Sequence, residues 1–441
     1  MLIHYRKALD SMSSLEEVHG KMTMIEADLV VRNAGQVLTM IPTVTGPDAG
    51  PAALVGPIPD GAVAIEGDTV VWVGRESDLE RRVRIDEGTR VLDARGGVVL
   101  PGLVDPHTHI VFAGSRHAEF ALRLAGAGYL EILAAGGGIL STVRATRAAS
   151  HDELVQSGLE RLARLLSFGV TTCEVKSGYG LTTESEIAML EVARTLAGIQ
   201  PVRIVPTFLG AHVFPEEYTG DHDGYVDLIC HEMIPQIASR GLAVMCDVFL
   251  DKGVFDLDQA RRILTAGAEA GLTPRMHAGQ FADLGGPGLA AELGAACADH
   301  LEHVSDADVR AMAEAGVVAC LLPGAALSLG MKFPQARRLR EAGVEVALAT
   351  DCNPGTSRTE NLPLMATLAA TAMGLTIEDA LRGITCVAAR ALGLEHEVGS
   401  IGPGFTADLA VFDVPDYRSL AYHFGVNHCR VVVAGGDVVV G

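Results

Sequence analysis

Between Val98 and Thr350 the chain alternates short apolar runs with amphipathic ones, and that rhythm admits few folds. Eight runs read as strands: Val98–Val104, Gly169–Lys176, Val202–Phe208, Ala243–Phe249, Pro274–His277, Ala296–Leu301, Val317–Leu322 and Val344–Thr350. Stretches with helical spacing stand between most of them, among them Asp152–Ser167, Glu184–Ala197, Asp258–Ala270, Asp306–Ala315 and Phe333–Ala342. Several open at or just after Asp, Ser or Thr, whose side-chain oxygens accept hydrogen bonds from the free N–H groups of a helix start. Eight strand–helix units over about 250–300 residues predict an α/β protein of the (β/α)8, TIM-like barrel type. A doubly wound open sheet is the alternative. It is disfavoured because no GxGxxG follows an early strand, and Gly136-Gly137-Gly138 neither follows a strand nor has that spacing.

The first run leads into a histidine pair. Leu100–His109 reads LPGLVDPHTH. Residues two apart on a strand point to one face, so His107 and His109 project together and suit gripping one metal ion. A lone His-x-His carries little weight among 15 histidines. What raises it is the set of polar residues at the other strand ends, where a barrel does its chemistry. The second strand runs into Glu174, Lys176, Ser177 and Tyr179, the third into His212, the fourth into Asp251 and Lys252. The fifth ends in His277 with Gln280 beyond; the sixth carries Asp299, His300 and His303; the eighth reaches Asp351, then Cys352-Asn353-Pro354-Gly355-Thr356. Neutral imidazole and carboxylate are suitable ligands for Zn2+ or iron. Three His and one Asp would fill a mononuclear site and leave room for water, whose pKa the ion would lower toward about 7. Asp351 is placed both to ligate and to accept the proton of that water, and a histidine free of the metal would orient the water or a carbonyl.

Both ends of the chain have a different texture. Asp28–Met40, Ala62–Gly74 and Arg90–Leu92 are valine-rich runs with Gly-Asp turns, and Ala407–Val414 and Arg430–Val440 repeat the pattern. The expectation is a small β-sandwich domain assembled from both termini, residues 27–97 and 401–441, around a barrel at 98–400, with 1–26 as an N-terminal extension. The formal charge of −21 disfavours nucleic acid and anionic membrane as partners and requires a local cation if the substrate is an anion. The eight scattered cysteines form no CxxC pair and read as free thiols in a reducing cytoplasm. No run of about 18 apolar residues stands out, and the charged N-terminus lacks the apolar core of a signal peptide.

With HxH on strand one, His on strands five and six and Asp on strand eight, the pattern resembles the amidohydrolase superfamily. Six motifs narrow the resemblance to its imidazolonepropionase family, over nearly the whole chain from Ala27. They are DPHTHIVFAGSRHAEFALRL (Asp105–Leu124), GGGILSTVRATR (Gly136–Arg147), EVKSGYGLTTESE (Glu174–Glu186), TFLGAHVFPEEY (Thr207–Tyr218), DHLEHVS (Asp299–Ser305) and ATDCNPGTS (Ala349–Ser357). The resemblance implies that water opens the ring of 4-imidazolone-5-propanoate at its cyclic amide C–N bond, giving N-formimidoyl-L-glutamate. It implies one Zn2+ or Fe3+ per subunit, held by His107, His109, His277 and Asp351, in a homodimer. Arg116 would bind the substrate carboxylate, which answers the need for a local cation. Tyr179 and His212 would be further substrate contacts, with His212 near the reacting carbonyl. Gln280 would hydrogen-bond the ring nitrogens, Asn353, Gly355 and Thr356 would form the substrate- and product-binding loop, and His300 would support the water. Tyr129 would be one more contact.

Alternatives stand beside these roles. Arg116 alone could be the salt-bridge partner of Glu119, Tyr179 could shape its Gly-Tyr-Gly turn, and Asn353-Pro354-Gly355 is an ordinary loop signal. Gln280 cannot be a general base, so the proton falls to Asp351 with His212 or His300 assisting. A bridging lysine, Lys252, is conceivable, but nothing else supports a second metal. The rival functions are a heterocycle deaminase, which has little use for a carboxylate anchor, and a non-catalytic amidohydrolase-like scaffold.

Overall fold

The computed structural model describes residues 24–43, 50–126 and 137–441. Tyr129 and most of the N-terminal extension lie outside the described residues. Eight parallel strands follow one another around a barrel in sequence order: β1 (Leu103–Asp105), β2 (Val170–Lys176), β3 (Arg203–Ala211), β4 (Met245–Leu250), β5 (Met276–Ala278), β6 (Cys297–His300), β7 (Val318–Leu321) and β8 (Val346–Leu348). Helices between them start where the caps predict. Ser150 accepts from Glu153 N, with Glu153 returning the bond, ahead of His151–Ser167. Asp256 forms the same reciprocal pair with Gln259 ahead of Leu257–Glu269, and Thr182 and Ser305 accept from Ser185 N and Asp308 N to cap Thr183–Ile199 and Asp306–Ala315. The helix expected at Phe333–Ala342 is confined to Ala336–Glu341. Pro334 disfavours helical backbone at Phe333 and delays the start.

The two ends meet in one eight-stranded sheet. Leu29–Leu38, Pro57–Glu66, Thr69–Arg75, Arg90–Asp93 and Val98–Pro101 come from the N-terminal side, and Leu409–Phe412, Cys429–Ala434 and Asp437–Val440 from the C-terminal side. Val31, Val63, Ile65, Val99, Leu409, Val411 and Val433 share one core of their own.

The run Val98–Val104 is not one strand. Val98–Pro101 pairs antiparallel with Leu409–Phe412 in the terminal sheet, whereas β1 pairs with β2 in the barrel. The chain crosses between the sheets at Gly102, where a Cβ would lie 2.1 Å from the Thr171 hydroxyl oxygen, so only glycine passes. Apolar content cannot reveal this split, because both halves are fully buried. No helix among the described residues is long and apolar enough to cross a membrane.

Candidate active site

Beyond β1 the backbone stays extended and is laced to the far end of the barrel. Thr108 bridges Cys352, Asp351 N donates to His107 O at 3.1 Å, and His109 N donates to Cys352 O at 3.0 Å. On the other flank Lys176 N donates to Thr108 O at 3.0 Å. His107 and His109 therefore stand just past the strand rather than on its last residues, held by backbone bonds from both sides.

The imidazoles of His107, His109 and His277 converge, with ring centroids 4.5–5.6 Å apart. Asp351 Oδ1 lies 3.5 Å from His107 Nε2 and 3.6 Å from His109 Nε2. His107 Nε2, His109 Nδ1 and His277 Nε2 are buried without a hydrogen-bond partner. Orphaned buried nitrogens cost about 1–3 kcal/mol each unless something satisfies them. Burial, with Lys176 close by, pushes the His107 imidazole well below its ordinary pKa; burial and His212 do the same to His109. Neutral rings with unshared lone pairs, facing a carboxylate, fit a metal cation, and His107, His109 and Asp351 each offer a donor within 4.8 Å of the others. His300 makes a second such group with His107 and His277.

Beneath the rings lies a floor of buried charge. His107 Nδ1–H donates to Asp299 Oδ2 at 2.9 Å, and His277 Nδ1–H donates to Asp247 Oδ1 at 3.1 Å. Lys176 Nζ reaches Asp247 at 2.7 Å and Glu174 at 2.8 Å; Arg275 Nη2 reaches Asp299 at 2.8 Å. None of these five charged side chains is exposed. Burial pushes the Asp247 carboxyl up, but His277 and Lys176 outweigh it and hold it well below the usual range. Such partners fix the ring orientation and leave each Nε2 facing the site. Asp299 is visible from sequence as a polar residue of strand six, whereas Asp247 and Arg275 are not singled out there. The available signal was a charge inside an apolar strand, and Arg275 shares the face of His277 two residues on.

The remaining predicted residues form the walls and rim. His212 stacks on His109 with centroids 5.1 Å apart, and its Nδ1–H donates to Gly178 O at 3.0 Å, leaving Nε2 toward the site. Burial brings its pKa down to about 3, so it is neutral. Tyr179 packs 5.2 Å from His212. Its Gly-Tyr-Gly turn is built on the buried Glu186 carboxylate, which accepts from Gly178 N, Gly180 N and Leu181 N at 2.7–2.9 Å. The Tyr179 ring is therefore not needed to shape the turn. Gln280 is buried two residues past β5. His300 and Leu301 both adopt left-handed backbone, φ 79° and 64°, as does Asp351 at 52°. Strain of this kind persists where the surroundings demand a fixed side-chain direction. Glu302, which the sequence reading missed, sets an oxygen 3.8 Å from His300 Nδ1.

Asn353 is spent on its own loop. Its Oδ1 accepts from Gly355 N at 2.7 Å and Thr356 N at 2.8 Å, and its Nδ2 donates to Asp351 O and Thr356 Oγ1, both at 2.8 Å. Thr356 Oγ1–H donates in turn to Asp351 Oδ2 at 3.2 Å. Arg116 lies against Gly355 and does pair with Glu119. A cavity of about 690 Å3 opens here, lined by Phe112, Arg116, Arg161, Gly355 and Arg358. Lys252 is exposed.

Barrel, terminal sheet and histidine–carboxylate cluster together define an amidohydrolase. Residues 123–440 match the model of the amidohydrolase family. The chain is 50% identical over 419 residues to the imidazolonepropionase of Geobacillus kaustophilus (strain HTA426), covering 93% of this chain and 98% of that one. It is 49% identical to that of Myxococcus xanthus (strain DK1622), covering 94% and 97%. The chain belongs to the imidazolonepropionase family. Its fold is shared with an adenosine deaminase from Xanthomonas campestris with bound zinc (TM-score 0.70, 19% identity, 95% of this chain and 94% of that one). It is shared as well with E. coli guanine deaminase (TM-score 0.70, 18% identity, 93% and 98%). At that identity the likeness concerns the fold alone.

Proposed function

We propose that this chain hydrolyses the cyclic amide C–N bond of 4-imidazolone-5-propanoate to give N-formimidoyl-L-glutamate, a step of histidine degradation. The observation that carries the reading is the convergence of three imidazoles and Asp351 at one barrel end, with the Arg116 guanidinium at the rim. Relatives 45–50% identical over more than nine-tenths of the chain bear the imidazolonepropionase name. His107, His109, His277 and Asp351 would hold one Zn2+ or Fe3+ per subunit. That ion, when bound, supplies Lewis acidity, making water a nucleophile near neutral pH and polarising the ring carbonyl.

Water oxygen bonds to the carbonyl carbon as the ring C–N bond breaks. Asp351 takes the proton from water and returns one to the departing nitrogen. Thr356 Oγ1, hydrogen-bonded to Asp351 Oδ2, fixes the carboxylate for that transfer. His212 Nε2 faces the carbonyl, and His300 orients the water. Gln280 donates to or accepts from the ring nitrogens and takes no proton. Tyr179 closes one wall, and the 353–356 loop holds the propionate side with Arg116. A reducing cytoplasm suits the eight free thiols, and a homodimer is the assembly the family resemblance implies.

The test is a direct ring-opening assay of purified protein paired with metal quantification. Turnover of 4-imidazolone-5-propanoate that scales with bound metal is expected. Metal-replete protein that leaves this ring intact and deaminates a neutral heterocycle would replace the reading with the deaminase one.

A further inference from the structure

We infer that Glu119 is a positioning residue: it fixes the edge that Arg116 presents to the substrate carboxylate, and so sets the side-chain length the site accepts. The inference rests on the reading of Arg116 as the carboxylate anchor.

Arg116 immediately precedes the helix His117–Leu124, and Glu119 stands in its first turn. Glu119 Oε2 accepts from Arg116 Nε at 2.9 Å and from Gly138 N at 2.8 Å, while Oε1 accepts from Arg116 Nη2. The pair is mostly buried, with side-chain exposures of 16% for Arg116 and 10% for Glu119. A guanidinium offers five N–H donors in a rigid fork. The Nε–Nη2 edge is occupied by Glu119, so an incoming carboxylate meets the other edge, Nη1 and the second hydrogen of Nη2. On that side Gly355 presses close: a Cβ there would lie 2.1 Å from Nη1 and 2.9 Å from the guanidinium carbon. Glu119 and the bare Gly355 backbone thus grip the group from two directions. Left ungripped, the long side chain could swing into the 690 Å3 cavity it lines.

A site seeking only attraction for an anion would leave this arginine unneutralised. Here a carboxylate is set against it, which gives up net charge and gains a fixed direction. The distance from that edge to the Asp351 end of the site then measures the substrate, so a ring carrying a side chain one methylene shorter misses one contact or the other.

The experiment compares the metal-loaded full chain with Glu119→Gln, Arg116→Lys and Arg116→Ala, on 4-imidazolone-5-propanoate and on its acetate-bearing homologue. Glu119→Gln is expected to raise KM for the propionate by about tenfold or more with a much smaller change in kcat, and to narrow the preference for propionate over acetate. Metal content and melting temperature should stay at wild-type values. A purely structural Glu119 would instead lower the melting temperature and kcat and leave the preference intact; that result overturns the inference. Should Glu119→Gln fail to fold, Arg116→Lys decides. It keeps the charge and loses the fork, so retained preference overturns the inference and lost preference supports it. Wild-type KM in Arg116→Ala would instead overturn the anchor reading itself. A raised KM there with unchanged Glu119→Gln kinetics would leave the anchor standing and remove Glu119 from it.

Discussion

The floor and the rim of the site solve the same problem by different physics. The floor fixes His107 and His277 with five charged side chains that no water reaches. The rim fixes Asp351 and Arg116 with one amide, one hydroxyl and one ion pair that keeps a small exposure to solvent. Charges in the floor are strongly coupled because nothing screens them, and losing one strands its partners. In the rim each bond is worth little alone, and the short loop gains its rigidity from several at once. His107 and His277 thus stand on a foundation of unscreened charge, whereas Asp351 and Arg116 are held by contacts that can be retuned residue by residue.

Four substitutions probe that contrast, from the largest effect to the smallest. Asp351→Asn keeps the size and the hydrogen bonds of the carboxyl but cannot accept a proton. Turnover should fall by about 10^2–10^4-fold while the circular dichroism spectrum persists, and near-wild-type turnover would remove Asp351 from the proton transfer. Lys176→Met leaves Glu174, Asp247 and Asp299 facing one another with a single cation among them. It should cost about 3–5 kcal/mol in denaturant unfolding, and a loss under about 1 kcal/mol would show that the floor is softer than its burial suggests. Asp299→Asn weakens the grip on His107 Nδ1 without touching a ligand. Metal affinity, read by chelator competition, should drop about 10–100-fold, and unchanged affinity would deny the floor its role in holding the rings. Asn353→Ala loosens the rim loop only. KM should rise by about tenfold with metal content unaltered, whereas loss of metal would mean that floor and rim are not separable.

The barrel was legible because its signal is repeated: strand, cap and helix recur, and Ser150, Thr182, Asp256 and Ser305 each mark a helix start. One apolar run misled, since Val98–Pro101 and β1 are equally hydrophobic and belong to different sheets. In the site, the histidines and Asp351 were visible as polar residues ending apolar strands. The floor was not, because its ion pairs join β2 to β4 and the residue before β5 to β6, and a sequence does not say which buried charge meets which. Asn353 illustrates a subtler limit. Its position in the motif was plain, but that all its hydrogen-bonding capacity goes into its own loop and Asp351 emerges only from coordinates.

The backbone bonds between His107–His109 and Asp351–Cys352 have a consequence for how the enzyme comes into being. They lie on the seam where the barrel's first and last strands meet, so closing the cylinder and assembling the reactive centre are one event. A chain emerging from the ribosome carries both histidines early, yet Asp351 does not stand opposite them until about 240 further residues have been made and docked. The terminal sheet then acts as a clasp over the seam, since Leu409–Phe412 seizes Val98–Pro101 just upstream of β1. On the proposed reading the centre is complete only then, and a chain shortened before Asp351 would keep the histidine pair and lack its carboxylate.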